Sequence, residues 1–381
     1  MAFNPEPVYP GDLFDSGVQI SESVEQKLSS PAGEGERARL LEATWATVQE
    51  LGWTVAAIPE ELGGVGGGFD DIAAIAEGLA RGGTSLSVAD PCLVAPDLLV
   101  RARSSARAKA MLKDIAAGSA RAACAWSGSR LSSAPDAAGA SISQEGGRIS
   151  LRGAKFGVEA CIGATDYLVL ASTPGTPLEG ALVAVPRTSG LKETIFRRPD
   201  GRYCADLRFA DVALPADAIL LAGIDLLAAL EQAVNLGALL SCVSAQSAMA
   251  EILAQTITYL STRKQFSVTL STFQVLRHRV ADMYVAYENA RAATQRAIAA
   301  LHAGPRCARA ISLAKINVGE AARFVAQSAI QLHGGMGMTE DLKAARLAKY
   351  VLMADFEYGD RHFHQQRACA KLQRDHPRTP H

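Results

Sequence analysis

The chain has 381 residues, enough for roughly two or three packed domains. Its 49% hydrophobic and 20% charged residues mark a globular protein rather than a disordered one. Lys and Arg total 38 against 39 Asp and Glu, a formal net charge of −1, so phosphate backbones and anionic membranes exert no general attraction and nucleic-acid binding is disfavoured.

No apolar run reads as long enough to span a bilayer. The N-terminus, MAFNPEPVYPGDLFDSG, lacks a basic region followed by an apolar stretch, so no export signal is expected. Seven cysteines (Cys92, Cys124, Cys161, Cys204, Cys242, Cys307 and Cys369) are scattered, with no CxxC and no His at ligand spacing. That pattern predicts free thiols in a cytoplasmic, reducing setting and argues against structural zinc.

The first third reads helical. Over Glu34 to Leu51 the residues Leu41, Trp45, Val48 and Leu51 recur at helical spacing. The stretch PEELGGVGGGFDD breaks the pattern. A helix carrying Ile72, Ile75 and Leu79 resumes from Asp70 to Arg81, with Asp70 or Asp71 as its cap, and another covers Ala106 to Ala117. From Ser119 to Ala222 the short pieces RISLRG, DYLVLAS, GALVAVP and DLRFADVAL stand between Gly, Pro and Ser, predicting an all-β insert of about one hundred residues, a small sandwich or barrel. From Asp225 to about Leu372 the chain is helical again. Asn235 to Leu260 holds one Glu and no Lys or Arg, as suits the centre of a bundle. Phe273 to Ala303 and Arg309 to Leu332 supply two more helices, and the terminal HPRTPH reads as a loose tail.

The expected architecture is thus α+β: an N-terminal helical domain (1–118), a middle β domain (119–224) and a C-terminal helical bundle (225–381). Two glycine clusters stand out. Gly63, Gly64, Gly66, Gly67 and Gly68 fail the G-x-G-x-x-G spacing and follow no strand of a βαβ unit, so they read as a turn between helices. Gln331-Leu332-His333-Gly334-Gly335-Met336-Gly337 follows a long helix. Alone, Gly334 reads as a helix stop with positive φ, although three glycines in four residues also let a ligand lie on the backbone.

Two segments together change that weighting. Tyr259-Leu-Ser-Thr-Arg263-Lys264-Gln265-Phe266, then Thr272-Phe273-Gln274 and His278-Arg279-Val280-Ala281-Asp282-Met283, resemble the Y-x-x-x-R-x-Q-F-G…F-Q…H-R-x-A-D-M signature of acyl-CoA dehydrogenases, departing from it at Ser267 where the family has Gly. The glycine block downstream resembles the same family's Q-x-x-G-G-x-G loop. Ile58-Pro59-Glu60-Glu61-Leu62-Gly63-Gly64 and Val212-Ala213-Leu214-Pro215-Ala216-Asp217 resemble its N-terminal and end-of-β segments. The resemblance implies noncovalent FAD, α,β-dehydrogenation of an acyl-CoA thioester, an external acceptor such as electron-transfer flavoprotein, a fourfold or twofold assembly, and a C-terminal four-helix bundle.

It also implies roles. Arg263 meets the FAD pyrophosphate with a fixed cation and a hydrogen-bond fork, Gln265 and Phe266 lie along the adenosine side, and Phe273 and Gln274 complete the segment. Gln331, Gly334 and Gly335 receive the dinucleotide arm, in this family from the neighbouring subunit. Trp126, in Ala123-Cys124-Ala125-Trp126-Ser127-Gly128-Ser129, and Phe156, in Ala154-Lys155-Phe156-Gly157, occupy the two degenerate isoalloxazine segments.

The base is the difficulty. Abstraction of an α-proton needs a carboxylate. Counting on from Gly335 sets Tyr358 in the usual register, with Glu357 one residue earlier and Asp360 two residues later. The family's other base position falls on Gly237, and Asn235 and Ser244 nearby carry no charge. Phe356-Glu-Tyr-Gly359-Asp360-Arg-His362-Phe-His364-Gln-Gln-Arg367 resembles the F-G-D-x-x-x-H-x-x-R ending of a branch containing pimeloyl-CoA dehydrogenase small subunits and heteromeric steroid side-chain dehydrogenases. Three explanations stay open: Glu357 as base, Asp360 as base, or a catalytically silent flavin-binding partner in a hetero-oligomer. A flavin oxidase or monooxygenase on the same scaffold is a weaker fourth. No metal site is expected, and His362 and His364 read as surface or interface residues.

Overall fold

The computed structural model describes residues 3, 5–28, 33–83, 86–130, 134–159, 162–173 and 180–375. The tail expected over 376–381, and Cys161, lie outside them. The helices and strands in chain order are α1 (Asp12–Leu28), α2 (Glu34–Glu50), α3 (Phe69–Gly82), α4 (Ala95–Arg101), α5 (Ala106–Ala116), β1 (Ala122–Ala125), β2 (Ala140–Glu145), β3 (Arg148–Glu159), β4 (Asp166–Ala171), β5 (Ala181–Pro186), β6 (Lys192–Arg197), β7 (Tyr203–Pro215), β8 (Ile219–Ala222), α6 (Gly223–Thr262), β9 (Lys264–Gln265), β10 (Val268–Thr269), α7 (Gln274–His302), α8 (Ala308–His333), α9 (Lys343–Ala354) and α10 (Arg361–Asp375). The chain gathers into two units, one of residues 1–31, 73–84 and 238–381, the other of 32–72 and 85–237.

The second unit holds the strands. In α2, Leu41, Trp45 and Val48 are buried as their spacing predicts, but Leu51 falls past the helix end and is 47% exposed. A buried π-helical turn, Asp90–Val94, leads into α4; the carboxylate of Asp90 accepts a hydrogen bond from Cys124 N at 3.1 Å and so ties this turn to β1. The strands form two four-stranded sheets, β1-β4-β5-β8 and β2-β3-β7-β6. Only β1 and β4 run parallel; the other strand pairs of these sheets are antiparallel. The apolar run of β4 is buried over Tyr167–Ala171, as a strand covered on both faces should be. Both sheets keep open edges, so of the sandwich and barrel alternatives no closed barrel forms among the described residues.

The first unit is helical. Asp71 accepts from Gly68 N at 2.8 Å, half of a capping box at the start of α3, a helix that runs from one unit into the other. Helix α1 packs against α3 through glycines: a Cβ at Gly78 would stand 2.1 Å from Phe14 O, and one at Gly82 would stand 2.2 Å from Ser21. The 40-residue α6 corrects one expectation, because by length and composition it is apolar enough to cross a membrane. Its most apolar window is 72% buried inside the protein, which is the position of a bundle's central helix. Of the six described cysteines all but Cys369 are buried.

Candidate functional site

In the helical unit, two sequence motifs meet at one end of the bundle. Helix α6 ends at Thr262, and Arg263 N donates back to Tyr259 O at 2.8 Å. The chain then reverses through the β9–β10 hairpin, closed by Leu270 N to Arg263 O at 2.9 Å. Its two corner residues, Phe266 (φ 53°) and Ser267 (φ 64°), both adopt the left-handed conformation that glycine takes without cost. The departure from the family's Gly at Ser267 is thus carried as backbone strain. Phe266 is 85% exposed at the tip, edge-on to Phe273 with ring centroids 6.2 Å apart, and Gln265 and Gln274 are exposed beside them.

Helix α8 delivers the glycine loop. Gly334 takes φ 60°, ψ −136° and its N–H bonds Gln331 O, so the helix-stop expectation for Gly334 holds. Tyr259 joins the two motifs. Its hydroxyl donates to His333 O at 3.4 Å, and its ring lies against the His333 imidazole with centroids 4.6 Å apart. Burial lowers the His333 pKa, so the ring is neutral; Nδ1–H donates to Ala329 O at 2.9 Å, leaving Nε2 a buried acceptor without a partner among the described residues. Sequence reasoning passed over this pair, although Tyr259 opens the Y-x-x-x-R motif and His333 sits inside the glycine motif.

In the other unit, Trp126 is buried and Phe156 is half-buried on β3. The two degenerate segments are joined by Phe156 N donating to Ser127 O at 3.1 Å. Lys155 was not singled out by sequence. It is fully buried, donates to Asp136 O at 2.6 Å and Ala138 O at 2.8 Å, and burial lowers its pKa to about 8. Arg130 lies over the Phe156 ring, 5.4 Å from its centroid, and pairs with Asp206, which in turn accepts from Gly157 N at 3.1 Å.

The turn between α9 and α10 carries both candidate carboxylates. Glu357 is buried, while Phe356 before it is 51% exposed. Tyr358 is buried at φ 54°, and Gly359 at φ 104° completes the corner. Asp360 caps α10, its carboxylate accepting from Phe363 N at 2.8 Å. The expectation that His364 is a surface or interface residue is wrong: it is fully buried, while His362 is exposed. Among the described residues no cluster of His, Cys, Asp or Glu has the makings of a metal site.

This arrangement has counterparts. Residues 19–119 match the acyl-CoA dehydrogenase N-terminal domain and residues 227–367 match the acyl-CoA dehydrogenase C-terminal domain, and the chain belongs to the acyl-CoA dehydrogenase family. It is 28% identical over 310 residues to the human mitochondrial short-chain specific acyl-CoA dehydrogenase, covering 78% of this chain and 74% of that one. With an acyl-CoA dehydrogenase of Mycobacterium tuberculosis it shares 27% identity over 335 residues, 82% of this chain and 86% of the other. The ChsE4-ChsE5 complex of Mycobacterium tuberculosis shares the fold with a TM-score of 0.79 at 19% identity, over 100% of both chains. The protein is therefore an oxidoreductase of the acyl-CoA class, and its family implies FAD.

The residues present fit that cofactor. Arg263 is exposed, and its guanidinium makes no ion pair or hydrogen bond among the described residues. A Cβ at Gly335 would meet no atom within 4 Å, so nothing in the chain itself requires glycine there and the bare backbone faces open space. The orphaned His333 Nε2 beside it is a third polar group available to a ligand.

Proposed function

We propose that the chain catalyses α,β-dehydrogenation of an acyl-CoA thioester, with Glu357 as the base that takes the α-proton. The observation that carries this reading is the Tyr259–His333 contact, which joins the Arg263 segment to the glycine loop. Arg263 would neutralise the dinucleotide's pyrophosphate, and Gln265, Phe266, Phe273, Gln274, Gln331, Gly334 and Gly335 would line its path. Trp126 and Phe156 would flank the ring system. Bound FAD supplies the acceptor for the β-hydrogen, which leaves as hydride. Asp360 is the alternative base; its carboxylate accepts from Phe363 N at the start of α10, and protonating it in every turnover would break that cap.

An assembly of subunits fits the large apolar residues that α7 leaves open to solvent, Val275, Tyr284 and Val285, together with Phe266 on the hairpin before it. Electron-transfer flavoprotein is the acceptor this class of reaction calls for. Tyr358 at the register of the resembled base favours one rival, a flavin-binding partner subunit whose companion holds the carboxylate. One experiment separates the two. Purified protein is titrated with butyryl-, octanoyl-, palmitoyl- and isobutyryl-CoA while the visible spectrum is followed. Bleaching by any of them, lost in Glu357→Gln with FAD still bound, supports the enzyme and its base. A yellow protein inert to all four supports the partner, and a Glu357→Gln variant bleached at the wild-type rate moves the base elsewhere.

A further inference from the structure

Beside the turn that carries Glu357 lie three buried polar side chains, Ser312, Lys315 and His364, and the half-buried Arg367, for which the reaction as described has no use. Ser312 and Lys315 sit one helical turn apart on α8, and His364 and Arg367 sit one turn apart on α10. Lys315, buried, donates from Nζ to Ala354 O at the start of the turn. His364 Nε2 lies 3.2 Å from Tyr358 O, and its Nδ1 lies 3.1 Å from Ser312 Oγ. A carbonyl only accepts, so Nε2 bears the proton and Nδ1 must accept from the Ser312 hydroxyl. Arg367 Nη1 donates to Ser312 Oγ at 3.4 Å. The donors therefore run in one direction: Arg367 to Ser312, Ser312 to His364, His364 to the Tyr358 carbonyl.

Burial, with the Lys315 and Arg367 charges, pushes the His364 pKa down to about 3, so the ring stays neutral and its tautomer single across the working pH range. Apolar side chains would fill this space with no polar group to satisfy. What the polar groups hold is the backbone: donors grip the turn at residues 354 and 358, on either side of Glu357, with Tyr358 kept at a positive φ that a non-glycine residue avoids when unsupported.

We propose that His364 is a positioning residue for proton abstraction: through the Arg367–Ser312–His364 relay it fixes the Tyr358 carbonyl and thereby the direction in which the turn presents Glu357. This rests on Glu357 being the base. A displacement of about 1 Å in a reacting group costs on the order of a hundredfold in rate. His364→Leu should therefore slow the limiting rate of flavin reduction by roughly ten- to a hundredfold, while the thioester's dissociation constant stays within about twofold. His364→Gln, whose amide nitrogen can still donate to the Tyr358 carbonyl, should recover most of the loss.

The test is stopped-flow reduction of wild type, Glu357→Gln, His364→Leu and His364→Gln by the thioester that bleaches the wild type fastest. It is paired with amide exchange over residues 355–363 without thioester, where His364→Leu should exchange faster. If the wild type is bleached by no thioester, or Glu357→Gln is reduced at the wild-type rate, the base assignment falls and takes this proposal with it. If Glu357→Gln is inert and His364→Leu is reduced normally, or loses rate only along with thioester and FAD binding, the base stands and the positioning role is overturned. Should His364→Leu fail to fold, Ser312→Ala removes the middle of the relay without emptying the ring's site, and a wild-type rate there is equally fatal.

Discussion

Gly335 and Gly337 lie two residues apart in one short turn, and the structure gives opposite reasons for them. A Cβ at Gly337 would stand 2.5 Å from Ile330 O and 3.0 Å from its Cα, so Gly337→Ala must push α8 backbone aside, at about 1–3 kcal/mol. A Cβ at Gly335 would meet nothing within 4 Å, and its φ is not left-handed, so Gly335→Ala should leave the fold intact or stabilise it by about 0.4–1 kcal/mol through the unfolded chain. If the dinucleotide arm lies on that bare backbone, the same methyl projects into the ligand and should weaken FAD binding by about tenfold, close to 1.4 kcal/mol. The assay is FAD retained after ultrafiltration over a range of total flavin, beside thermal unfolding at one fixed, saturating FAD concentration, since ligand bound to the native state raises apparent stability by mass action. The expected signature is crossed: Gly335→Ala stable and flavin-poor, Gly337→Ala unstable. A Gly335→Ala protein holding FAD as tightly as wild type would refute the reasoning and move the arm off this loop.

Arg263→Ala should lower FAD retention by removing the fixed cation, and Arg263→Lys should restore it only in part because an ammonium lacks the guanidinium's fork; unchanged flavin content in both would displace the pyrophosphate from this residue. Acid stability tests the buried imidazole. His364 has a folded pKa of about 3 against 6.5 unfolded, so between those values the unfolded chain binds one more proton and this group removes up to about 1.4 kcal/mol of stability per pH unit as pH falls, and nothing above 6.5. His364→Gln should therefore lose less to wild type at about pH 5 than at pH 7 in urea unfolding; an equal difference at both would mean that the ring is not held neutral.

The fold was legible where apolar residues repeat with one period. Helices α2, α3, α5, α7 and α8 and strands β3, β4, β5 and β7 stand within a few residues of their expected places. Helix α1 was not, and its interface explains why. It meets α3 at Gly17, Gly78 and Gly82, where backbone comes close to backbone, and small residues at a contact carry less of a signal than large apolar ones. The exposed edge strand β6, with Ile195 and Phe196 open to solvent, and the four-residue β1 and β8 offer too few alternations to separate them from loop. Helix α6 was legible by its composition alone: almost free of charge over Asn235–Leu260, it was expected at the centre of a bundle, and its most apolar window is 72% buried there.

The site was legible in the parts that contact something outside the chain and silent in the parts that act through the chain. Arg263, Gln265, Phe266 and Gly335 are exposed, so nothing in the core accounts for their types, and a motif is the only trace such residues leave. Ser312, Lys315 and Lys155 look like ordinary polar positions, and His364, although it stands at the His of the F-G-D-x-x-x-H-x-x-R ending, was read with them as a surface or interface residue, because charged and polar side chains are rarely buried without partners. Their partners are main-chain carbonyls at 354, 358, 136 and 138, together with one another, and every residue has a carbonyl. A buried donor aimed at backbone therefore leaves no complementary residue type in the sequence. The two lysines become visible, and the histidine's burial and role with them, only once the fold has brought a turn of main chain to each of them.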